Sequence, residues 1–197
     1  MITLEQIQEY LPKYLSPKQQ QDLAAQLRDF ENRSYYTNLH ETEMLQGDGW
    51  TKIEIVDLTT GTRDKIKGIL LSNSCDIAAS NVREFPPRIV FAPLIPLHAF
   101  ADLLKQTPNL KPEQIDSKID SIRKQRVTSL FYLPRGAALD SDHIAVLDDL
   151  HNIPLQRFLE DSDRTKVFTL GQMGFYLFLF KISIHFCRFQ EGISRSP

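Results

Sequence analysis

Hydrophobic positions recur with a helical period at both ends of the chain and with a strand period between them. Leu23, Leu27 and Phe30 fall at i, i+4 and i+7, which puts one apolar stripe on a helix running to about residue 32. Ser16-Pro17 supplies its start, a capping residue followed by proline at the first helical position. A shorter helix over residues 4–11 precedes it, stopped by Pro12, and Asn32 and Ser34 end the helical pattern. The period then changes. Residues 50–58 place Ile53 and Ile55 on one face, bounded by Gly47-Asp48-Gly49 and Thr59-Thr60-Gly61. Residues 67–72 carry Ile69, Leu70 and Leu71, and residues 88–94 read RIVFAPL. Two short strands joined by a loop centred on Gly61, with a third nearby, predict a mostly antiparallel, strongly curved sheet.

Beyond Pro96 the pattern predicts a helix over 97–105 and another over 111–126, with Pro112 at its start and Ile115, Ile119 and Ile122 as a narrow stripe. Residues 127–133 and 143–147 read as further strands around the loop 134–142. The final segment carries two signals. Residues 180–186 alternate like a strand, whereas Thr169-Leu-Gly-Gln172 has the form of a capping box, with Phe168 and Met173 set for a hydrophobic staple. The reading taken is a helix over 170–188, with most of Phe175, Leu177, Phe178, Leu179, Ile182 and Phe186 buried in this chain or at a dimer interface. The predicted fold is therefore α+β: a small curved antiparallel β-barrel with N-terminal, middle and C-terminal helices. Residues 1–43 form a helical extension and residues 44–197 the barrel with its helices.

Composition narrows the function classes. A chain of 197 residues with 42% hydrophobic and 24% charged residues is globular in character, and at this length it buries about 70% of its unfolded surface without disulfide or metal. A net charge of −2 gives no global field toward nucleic acid or anionic lipid, so a nucleic-acid site must be a local patch. Cys75 and Cys187 match no zinc or redox spacing, and the opening MITLEQIQEYL has no apolar leader, so the expected setting is the cytoplasm. Residues 175–180 are the most apolar run, and 167–189 are nearly long enough to span a bilayer, but Lys181, Ser183, His185 and Arg188 fall within that stretch. A spanning helix needs roughly 20 apolar residues, and a central lysine costs about 2.5–3.5 kcal/mol. No membrane span, cofactor or metal site is expected. Phosphate-binding glycine, nucleophile-elbow and HExxH motifs are all missing.

Candidate chemistry gathers around Ser72-Asn-Ser-Cys-Asp76, at the end of the second strand. A thiol beside a carboxylate is a weak nucleophile, because the negative neighbour raises its pKa. Cys75 needs a basic partner from elsewhere, and Arg188, His185 and His143 are available. The alternative is a small buried cysteine under a strand end, with Asp76 capping the next turn. Arg63, Lys65 and Lys67, near a glycine-containing loop, are candidates for phosphate or nucleic-acid contacts; with Asp64 among them, a solvated hairpin tip is the competing reading.

Taken together, Met44-Leu-Gln-Gly-Asp-Gly-Trp50, the strand to Asp57, the loop 58–62 and the strand 67–73 resemble the opening of the MazF/PemK toxin family. That resemblance, confined to residues 44–74, implies an SH3-like barrel entered through Gly-Asp. The family's Arg-Arg-Pro before the apolar strand is replaced here by Asp64-Lys-Ile-Lys67. The Ser-Cys-Asp-Ile stretch is also similar to one in bacterial proteins of mobile or defence-type gene settings. The resemblance implies two functions. One is a non-catalytic binding protein of a toxin–antitoxin or phage-defence system, docking a protein partner or RNA/DNA, with a homodimer possible. The alternative is a metal-independent endoribonuclease with Ser74, Cys75 and Asp76 as its polar wall and Arg63 or Arg188 as its cation. Because the family's basic pair is missing, the binding protein is the reading favoured.

Overall fold

The computed structural model describes residues 34–57, 59–78, 81 and 84–187. Both predicted N-terminal helices, and Arg188, lie outside the described residues. Eight strands and five helices are described: β1 Tyr36–Thr37, β2 Gly49–Val56, β3 Arg63–Leu70, α1 Ser74–Ile77, β4 Arg88–Pro96, α2 Leu97–Lys105, α3 Pro112–Arg123, β5 Leu130–Leu133, β6 His143–Val146, β7 His151–Pro154, α4 Leu155–Glu160, β8 Lys166–Leu170 and α5 Gln172–Phe186. The chain is α+β, built on one antiparallel sheet curled into a half-barrel in the order β1-β8-β2-β3-β4-β6-β5, with β7 added on β4.

The three strands expected from their punctuation form as an antiparallel meander. Gly49 lies opposite Ile69 in the β2–β3 hairpin, and Gly68 lies opposite Pro93 between β3 and β4. A register shift between Trp50 and Ile53, with Lys52 at φ 52°, bulges β2 and increases its coil. β4 is long enough to serve three partners: β3 along one edge, then β7 and β6 in succession along the other. Gly49 is fixed by a close approach, since a Cβ there would lie 2.3 Å from the Phe168 ring on β8.

The curl is held by side chains as well as by ladders. The Tyr35 and Tyr36 hydroxyls donate to the Tyr132 and Pro134 carbonyls at 2.9 and 2.6 Å, tying the β1 end of the sheet to the β5 end. Gln125 occupies the outer edge of β5, accepting from Tyr132 N at 3.1 Å and donating to its carbonyl at 2.8 Å. An edge strand otherwise exposes such groups for pairing with another chain.

Three apolar clusters follow from this arrangement. The inner face of the curl buries Ile69, Leu94, Phe131, Phe168 and Phe178. The outer face of β2–β4 packs Ile53, Ile89 and Phe91 against Phe158 of α4. α2 and α3 cover β5 and β6 through Leu97, Ile122, Leu130 and Ile144.

The helices α2 and α3 lie where the sequence places them; the C-terminal segment does not follow its capping signal. Residues 166–170 form β8, α5 begins at Gln172 with Gly171 as its N-cap, and no side chain caps it. Thr169 turns instead toward Lys166, and Phe168 enters the core. A side-chain cap is worth about 1 kcal/mol. Pairing β8 with both β1 and β2, and burying Val167, Phe168 and Leu170, outweighs it. Within α5 Phe178 is fully buried, Phe175, Leu177, Leu179 and Ile182 are half-buried, and Phe186 is 52% exposed. Among the described residues no helix is long and apolar enough to cross a membrane.

Candidate functional site

The stretch after β3 is shaped by local hydrogen bonds. Ser72 Oγ accepts from Val90 N at 2.8 Å, which ends β3 against β4. Asn73 caps α1 by accepting from Cys75 N at 2.9 Å, and Asn81 Nδ2 donates to the Cys75 carbonyl at 2.7 Å. Asn73 is thus the N-cap of α1. Cys75 is exposed, which overturns its reading as a small buried cysteine, and Asp76 is exposed beside it.

Ser74 points elsewhere. Its Oγ accepts from Gln46 N at 2.9 Å, and Gln46 Nε2 donates to the Leu71 carbonyl at 2.7 Å. These bonds pin the 44–48 loop beside a cavity of about 320 Å³. Ser74, Leu39, Leu45, Thr169, Leu170 and Phe175 line it, with His40 as the titratable group in the wall. Ser74 therefore belongs to a groove between the strand-entry loop, α1 and the start of α5, whereas Cys75 and Asp76 lie on the solvent side of the turn. Of the basic partners considered for Cys75, His143 is buried on β6 and His185 sits 3.3 Å from Asp148.

Behind the groove lies a buried ion pair. Asp48 is fully buried, and its Oδ2 accepts from Lys166 Nζ and from Leu45 N, each at 2.8 Å. Lys166 also donates to the His40 and Glu43 carbonyls and to Thr169 Oγ1. Burial raises the Asp48 carboxyl above its usual range, and the bonds from Lys166 and Leu45 oppose that rise. Asp48 was visible in the sequence only as the polar residue of a Gly-Asp-Gly entry; Lys166 carried no signal. Together they hold the 40–48 loop over β8.

The three predicted phosphate-contacting residues separate. Arg63 pairs with Glu54 at 3.0 Å and Lys65 with Asp161 at 2.7 Å, while Arg157 takes the second oxygen of Glu54 at 3.1 Å. Lys67, half-buried, makes no ion pair or side-chain hydrogen bond among the described residues. No group of three or more His, Cys, Asp or Glu among the described residues is arranged to hold a metal ion. No protein-family model matches the chain, and no curated protein is significantly similar to it.

Proposed function

We propose that this chain is a non-catalytic binding protein that docks a protein partner at the groove around Ser74, on a half-barrel of SH3-like kind. The toxin–antitoxin or phage-defence setting follows from the resemblance carried by residues 44–74. The observation that supports docking is the character of the groove: aliphatic, aromatic, hydroxyl and amide groups around about 320 Å³, with Leu39 67% exposed on its rim. Such a surface suits an apolar side chain flanked by backbone groups that need hydrogen bonds. A nucleic-acid backbone asks for several unpaired cations instead; Arg63 and Lys65 are already engaged with Glu54 and Asp161, which leaves Lys67 alone of the three candidates.

Leu39→Asp tests the reading, because an exposed position tolerates the change without unfolding. Burying a leucine contributes about 2 kcal/mol, so the variant should bind its partner roughly thirtyfold more weakly at unchanged melting temperature. Co-purification from the native host, repeated with the reconstituted pair, provides the measurement. Full partner binding by Leu39→Asp overturns the site. Cleavage of a synthetic RNA by the pure protein without added metal overturns the non-catalytic reading.

A further inference from the structure

Among the described residues, the His143 Nε2 atom and the Lys67 ammonium, neither with a hydrogen-bond partner, lie toward one end of the inner face. Side chains alternate along a strand, so Lys67 shares the inward face of Ile69 and His143 shares that of Ala145. Both Ile69 and Ala145 belong to the inner cluster. Cross-strand pairs bring the two polar residues into one region: Gly68 opposite Pro93, Leu94 opposite Ala145, and Pro96 opposite His143.

His143 is 1% exposed, and its Nδ1 lies 2.8 Å from the Ser141 carbonyl. A carbonyl only accepts, so the ring proton sits on Nδ1 and Nε2 presents a bare lone pair. That Nε2 is buried without a hydrogen-bond partner among the described residues. Buried acceptors are ordinarily satisfied, and an orphan calls for an explanation. Lys67 supplies an unpaired ammonium nearby. Its charge is the first cause holding the Asp140 carboxyl below its usual range. Burial holds the His143 imidazole below its ordinary value, with Lys67 and His98 adding to the effect and Ser141 and Asp140 opposing it. The cluster runs from exposed Asp140, through half-buried Lys67, to the buried ring.

One cation and one bare acceptor on the same face of the curl, with β4 between their strands, are a particular combination. It matches a group that carries an anionic oxygen and an O–H on the same centre. We propose that this end of the half-barrel binds the monoprotonated terminal phosphate of a small phosphomonoester, with Lys67 on an anionic oxygen and His143 Nε2 accepting from the P–OH. A carboxylate or a phosphodiester offers the anion without the donor and leaves Nε2 unsatisfied. Lysine meets phosphate as a point charge on a flexible stem. Asp140 competes for the same ammonium. This site is distinct from the groove at Ser74 and does not depend on it.

The test uses the full chain labelled with nitrogen-15 in its histidines, at about pH 6, where a phosphomonoester is about half monoprotonated. The His143 Nε2 resonance should shift on titration with inorganic phosphate and with methyl phosphate, and stay in place with dimethyl phosphate or acetate. Lys67→Met should weaken phosphate binding about tenfold or more, the loss of one charge-assisted contact. Asp140→Asn should strengthen it by freeing the ammonium. The proposal is overturned if phosphate leaves Nε2 unmoved, if dimethyl phosphate or acetate moves it equally, or if Lys67→Met binds phosphate like the parent.

Discussion

Replacing Lys166 with methionine separates the buried ion pair from ordinary packing. The stem is nearly conserved, so what is lost is the ammonium, whose side chain is 12% exposed and faces an Asp48 side chain that is 1% exposed. Asp48 then keeps the Leu45 N–H on its Oδ2, and the His40 and Glu43 carbonyls lose their donor. Removing one member of a buried pair costs about 3–5 kcal/mol, a large share of the roughly 5–15 kcal/mol that stabilises a domain. For a chain of this length that corresponds to a fall of roughly 10 °C in melting temperature. The pH dependence carries the sharper signature. In the parent, burial already lifts the Asp48 carboxyl above its usual value, and losing Lys166 lifts it further. A carboxyl raised in the folded state contributes stability that is full below its unfolded pKa and lost as pH rises through its folded pKa. The deficit of Lys166→Met should therefore be greatest near pH 7 and shrink as pH falls toward about 4. Urea unfolding of both proteins at about pH 7 and pH 5 measures it. A deficit below about 1 kcal/mol at neutral pH, or one that does not narrow in acid, refutes the assignment of this pair as the clamp on the 40–48 loop.

Gly49→Ala brings a Cβ within 2.3 Å of the Phe168 ring, where β2 and β8 meet. Overpacking of this kind costs about 1–3 kcal/mol, and unchanged urea unfolding would show that the ring moves freely. Lys181 donates to the Gln125 and Val127 carbonyls at 2.6 and 2.8 Å, and burial lowers its pKa to about 8. Between about 8 and 10.5 the unfolded chain holds the extra proton, so this group adds stability as pH rises, up to about 3 kcal/mol in all. The parent's stability relative to Lys181→Met should therefore grow from pH 8 to pH 9.5; a constant difference counts against that shift.

The elements legible from sequence are those whose causes are local. The strands beginning near residues 49 and 88 and the helices near 97 and 112 sit between turn residues and keep one hydrophobic period throughout. The capping signal at Thr169 misled because it is local as well. It competes with a strand whose reward comes from β1 and β2, far away in the chain. Strand β7 and helix α4 carry too few residues to establish a period, and both are secured by contacts with β4.

The candidate site divides along the same line. Dihedral preference and periodicity act over a few residues, so the chain by itself determines the meander, the helices that follow it and the polar turn holding Ser74, Cys75 and Asp76. Which polar groups meet depends on strand order and on which face of the curl each residue occupies. Only the tertiary structure therefore turns Ser74 toward Gln46 and away from Cys75. It engages Arg63 and Lys65 with acids on β2 and after α4, and brings Lys67 and His143 to one face of the curl across β4. The same long-range pairing supplies Lys166 as the counterion of Asp48, because a buried carboxylate needs a cation from whichever strand closes over it.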